Sequence, residues 1–137
     1  MYRHPLFITW FSLLVLIALL HAAALEFFFY WTYDWLDILV HFLGGMFISL
    51  SALWFFFESG YVNLKKSVRN VFLASIGAII IIGIGWEIFE VLAGIPMEDN
   101  YALDTAIDMV MDILGALVAS YAYLRVYTKK HEPDSYQ

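Results

Sequence analysis

A chain of 137 residues, with 63% hydrophobic and 15% charged side chains and a mean hydropathy of +0.76, falls outside the range of soluble domains. Its length holds one domain, and at about 20 apolar residues per crossing of the hydrocarbon core four crossings use nearly all of it. The absence of cysteine excludes disulfides, thiolate metal sites and cysteine nucleophiles, and a net charge of −6 offers nothing to nucleic acid.

Four apolar stretches read as helices over residues 5–31, 36–57, 68–93 and 102–127, with a polar tail over 128–137. The first also has the look of a signal peptide, because Arg3 precedes it and Ala22-Ala23-Ala24 resembles a cleavage site; its apolar run continues to Trp31, too long for that reading. Turn chemistry separates the stretches: Thr32-Tyr33-Asp34, then Glu58-Ser59-Gly60 through Lys66, then Gly94-Ile95-Pro96 through Asn100. The expected fold is an all-α polytopic membrane protein, a single domain over 1–137 with four transmembrane helices in a compact bundle.

Charge placement orients it. Arg3, Lys65, Lys66, Arg69, Arg125, Lys129 and Lys130 all fall at one end of such a bundle, which the positive-inside rule makes cytoplasmic together with both termini. Ten of the thirteen acids fall at the other end. Trp31, Tyr33, Trp35 and Tyr101 sit near that boundary as an interfacial aromatic belt would. Gly44-Gly45, Gly77, Gly83, Gly85 and Gly115 would let helices approach closely.

Asp37 and His41 are one turn apart, as are Glu87 and Glu90, and Asp104, Asp108 and Asp112 repeat every four residues, so three helices each carry a polar stripe. Counting inward at about 1.5 Å per residue places Glu26, His41, Glu87 and Asp108 roughly 7 to 9 Å deep, one from each helix. His21 and Asp112 fall about 15 Å deep by the same count, while Asp37, Glu90 and Asp104 lie near the mouth. Ionised groups at these depths cost several kcal/mol each, and no lysine or arginine shares their half of the bilayer. The missing positive charge is protons, a metal or a cationic ligand. With one or two imidazoles, many carboxylates and no sulfur, a divalent metal is the leading expectation. Its ligands would come from Glu26, Asp37, His41, Glu87, Glu90, Asp104, Asp108 and Asp112, with His21 behind them; magnesium, manganese, calcium, zinc and iron all suit such a set.

The run Asp37-Ile-Leu-Val-His41-Phe-Leu-Gly44-Gly45, then Gly85-Trp86-Glu87-Ile-Phe-Glu90, then Asp104-Thr-Ala-Ile-Asp108-Met-Val-Met-Asp112-Ile-Leu-Gly115 resembles the YjdF-like family of small bacterial membrane proteins and, more distantly, VanZ-like proteins. The resemblance covers helices 2 to 4 and implies a bacterial, multi-pass inner-membrane protein, with no activity to transfer. The Asp-x3-Asp repeat is also similar to that of CDP-alcohol phosphotransferases, but the Asp-Gly and Ala-Arg elements of those enzymes are lacking, which leaves an analogy only.

Three functions follow as expectations. The first is a metal-dependent hydrolase or phosphotransferase acting on a lipid-linked phosphate that enters from the surrounding membrane lipids. The second is a cation or proton transporter, which would need a homo-oligomer because the inner halves offer little beyond Thr9, Ser12, Ser49, Ser51, Ser75 and Ser120. The third is a structural or partner-binding protein with a protonated polar core. Single-cysteine labelling in intact cells checks the orientation common to all three: positions 65 and the C-terminus should react only from the cytoplasm, positions 34 and 98 from outside.

Overall fold

In the computed structural model, which describes residues 5–62, 64–94 and 100–130, four helices follow one another: α1 Pro5–Glu26, α2 Asp34–Leu53, α3 Val68–Ala93 and α4 Tyr101–Lys130. There is no strand among the described residues. Arg3, Glu98, Asp99 and the tail beyond Lys130 lie outside them.

Each helix ends for a local reason. α1 stops at Glu26 instead of running to Trp31, because Phe28 adopts a left-handed conformation (φ 56°) that a helix cannot continue through. The chain then makes a 3₁₀ turn at Phe29–Trp31 before α2 begins. α2 passes into a π turn at Trp54–Glu58, whose extra residue re-aims the end of the helix. Ser67 caps α3 by accepting from the Asn70 amide at 3.2 Å, and Gly94, at φ 65°, terminates it by returning its N–H to the Glu90 and Val91 carbonyls. Asn100 receives the Leu103 amide at the start of α4.

Three segments, Leu6–Glu26, Trp35–Glu58 and Val68–Ala93, are long and apolar enough to cross a membrane. α4, with Asp104, Asp108, Asp112 and Arg125 along it, is not among them. It nonetheless lies parallel to α2 over the length of that helix, pairing Asp108 with His41 near one end and Tyr123 with Phe57 and Glu58 near the other. α3 runs antiparallel to both. α1 packs mainly on α2, with Leu13 reaching Leu50 and Ala119, Trp10 stacked on Phe47, and the Trp10 indole donating to Ser51 Oγ at 2.7 Å.

The closest approach is between α2 and α4. A Cβ on Gly45 would run into the Asp112 backbone, and one on Gly115 would run into the Phe42 carbonyl and the Met46 amide. Backbone contact of this kind is what small residues permit when helices pack without a hydrophobic driving force. Side chains fill the remainder: Leu53, Phe57, Val71 and Tyr123 form one buried cluster toward the basic end of the bundle.

Gly115→Ala should therefore cost about 1–3 kcal/mol through overpacking, read as a lower melting temperature in detergent. Gly77→Ala, with open space where the methyl would go, should be neutral or slightly stabilising.

Candidate metal centre

The α2–α4 contact sets two aspartates of α4 against one histidine of α2. Helical side chains lean toward the N-terminus of their own helix, so His41 tilts back over Asp37 one turn earlier. Its Nε2 lies 4.0 Å from Asp37 Oδ1 and 3.8 Å from Asp108 Oδ2. Its Nδ1 faces the other way, 3.6 Å from Asp112 Oδ1. These separations exceed ordinary hydrogen-bond length. One ligand-capable atom from each of Asp37, His41 and Asp108 falls within 4.8 Å of the other two.

Burial is graded along the group. Asp108 and Asp112 are buried, and the Asp112 carboxylate lies over Gly44 and Gly83, where a Cβ would come within 3.9 and 3.2 Å of its oxygens. The Asp37 side chain, 30% exposed, is the most accessible of the four and lies on the side from which the group can be reached.

The remaining candidates are placed differently. Glu87 is buried on α3, but its Oε2 accepts from Thr105 Oγ1 at 2.7 Å and from the Tyr101 hydroxyl at 3.2 Å, so neutral donors already satisfy it. Tyr101 shares its one hydroxyl proton between that oxygen and the Glu87 carbonyl at 3.1 Å, a role at the α3–α4 junction beyond that of a belt residue. Glu90 is buried one turn beyond Glu87, and Asp104 is half-buried in the first turn of α4; neither belongs to the three-residue group. Glu26 ends α1 and is exposed. Its expected depth assumed a helix running on to Trp31, whereas α1 ends at Glu26 before the turn at Phe28. His21 pairs with the Tyr30 hydroxyl, 2.7 Å from its Nδ1, and not with Asp112. Burial, with Asp37 and Glu90 close by, pushes the Tyr30 phenol up to about 12, so it remains a protonated donor beside the opening.

Tyr30 and Thr105 were not among the residues singled out from the sequence. Thr105 had a signal, because Tyr101, Thr105, Asp108 and Asp112 follow a four, three, four spacing that defines one helix face. Tyr30 had none, since only the turn at Phe28 folds it back against α1.

A family model described as "Predicted membrane protein (DUF2238)" matches residues 1–130. Nothing among the curated proteins and nothing among the solved structures matches the chain.

Removing the 2.7 Å donor from buried Glu87 should cost about 1–3 kcal/mol. Thr105→Val is expected to lower the melting temperature in detergent, and Thr105→Ser to restore most of it.

Proposed function

Because the chain belongs to this family of membrane proteins, DUF2238, we propose that it is a multi-pass membrane protein that holds a divalent metal ion between Asp37, His41 and Asp108. The YjdF-like resemblance of the helix 2 to 4 motifs agrees with that membership.

One observation carries the reading: the three ligand-capable atoms within 4.8 Å of one another, on the half of the molecule opposite Lys65, Lys66, Arg69 and Arg125. Metal–ligand bonds of about 2.0–2.2 Å put ligand atoms roughly 3 to 4.4 Å apart, so closing the observed gaps takes a shift of tenths of an ångström. Asp112 completes the arrangement from behind. A ligating imidazole usually gives its second N–H to a carboxylate, which fixes its orientation and raises its basicity, and Asp112 stands on that nitrogen of His41. One imidazole with two carboxylates suits zinc, manganese or ferrous iron better than calcium.

Three protein ligands leave coordination positions open. A metal held there supplies Lewis acidity, which serves to activate water or clamp a phosphate. A phosphate-bearing lipid reaching the Asp37 opening from the bilayer is the substrate class that fits, in a hydrolase or phosphotransferase of the bacterial inner membrane. In this reading α4 is the fourth crossing, and the acidic end faces out.

Thermal unfolding in detergent, with chelator and with added Mn²⁺ or Zn²⁺, tests it. Metal at 100 times its Kd should add about 2.7 kcal/mol of stability. Asp37→Asn, His41→Ala and Asp108→Asn should each abolish the response. Asp112→Asn should weaken the metal by roughly 10-fold to 100-fold, and Glu26→Gln should change nothing. A melting temperature indifferent to chelator and metal in the unsubstituted protein would leave a protonated polar core in place of the metal.

A further inference from the structure

Below the metal centre, the three packed helices carry polar or small residues in register. His41 and Ser49 on α2, Gly83 and Ser75 on α3, and Asp112 and Ser120 on α4 are each eight residues apart, about 12 Å along the helix. Midway between them stand Gly45, Ile79 and Ala116.

This middle layer is closed. Ile79 and Ala116 have no exposed surface, and Gly45 is buried against the Asp112 backbone so tightly that a methyl group would not fit. Gly115 meets the Phe42 carbonyl in the same way one turn higher on α2. Neither an ion nor a chain of water molecules passes between α2 and α4 where their backbones touch, and Ile79 fills the α3 side.

The serine layer beneath offers no continuation. Ser49, Ser75 and Ser120 are fully buried. Ser49 and Ser120 reach Ser75 Oγ at 2.9 and 2.7 Å, and Ser49 also lies 3.4 Å from the Ala116 carbonyl. Ser75 accepts from both of the other hydroxyls, which ties three helices together. Further toward the basic end come the apolar side chains of Leu53, Phe57 and Val71.

We infer that the Asp37–His41–Asp108 site is closed-ended: it takes up and releases a divalent cation only through the acidic end of the bundle, and the chain is not a conduit for that cation. This rests on the metal reading and adds to it a sidedness, which removes transport from the functions the site can serve. The site opens where Asp37 is partly exposed and ends at the Gly45, Ile79 and Ala116 layer.

Proteoliposomes loaded with a Mn²⁺-quenched dye decide the question. The chain has no native cysteine, so Tyr61→Cys at the exposed basic end reports the fraction of molecules in each orientation. Mn²⁺ added outside should bind, by loss of its free-ion electron paramagnetic resonance signal, only to molecules whose acidic end faces out. The remainder should load only after an ionophore is added, and the internal dye should stay bright until then. Quenching without ionophore that exceeds protein-free vesicles, or full loading from outside, overturns the closed end while leaving the metal site standing. Failure of the detergent-solubilised protein to bind Mn²⁺ or Zn²⁺ at all overturns the metal reading and this inference with it.

Discussion

Backbone contact between α2 and α4 at Gly45 and Gly115 is the constraint on which the rest of the molecule depends. With no hydrophobic drive to press helices together inside a bilayer, close approach through small residues supplies the packing. It also fixes register. Once Gly45 meets Asp112 and Gly115 meets Phe42, His41 has Asp108 and Asp112 beside it, and Ser49 faces Ala116. The polar groups are therefore placed by glycines whose own chemistry is inert.

Two ways of holding a carboxylate appear in the bundle, one at buried Glu87 and half-buried Glu58, the other at buried Asp108, and the contrast between them frames the candidate site. Glu87 receives a threonine and a tyrosine hydroxyl, and Glu58, at the opposite end, receives the Tyr123 hydroxyl and the Lys66 ammonium at 3.1 Å. Asp108 is as deeply buried, yet its ion-pair partner is His41 at 3.8 Å, beyond hydrogen-bond length. Burial of an ionised group is costly without close partners. In the proposed reading, a cation between Asp37, His41 and Asp108 would offset that cost where direct hydrogen bonds do not.

Much of this was legible in the sequence. The four apolar stretches and the four-residue spacing of Asp37 with His41 and of Asp108 with Asp112 sufficed to name the helices and the faces that meet. Depth was less legible, for two physical reasons. Counting Cα rise ignores the lean of side chains toward their own N-terminus, which joins His41 to Asp37 across a full turn. It also presumes that an apolar run is all helix, and a left-handed Phe28 ends α1 early, leaving Glu26 exposed and turning Tyr30 toward His21. Backbone reversal at a phenylalanine has no sequence signature of the kind that glycine gives at Gly94. Among the few inner polar residues named from the sequence, Ser49, Ser75 and Ser120 bond to one another in one layer, because their eight-residue offset from His41, Gly83 and Asp112 emerges only when three helices are set side by side.

The dry layer of Gly45, Ile79 and Ala116 has an electrical consequence. A membrane potential falls mainly across the material of low polarisability that separates the two conducting solutions. One elementary charge carried through the whole drop gains or loses about 2.3 kcal/mol per 100 mV. In the proposed orientation, a charge at His41 would lie on the acidic side of that layer and near the partly exposed Asp37, and would traverse only part of the drop on arriving from that solution. On the proposed reading, occupancy of the centre would thereby be insulated from the energised state of the membrane and set by the chemistry of the acidic side.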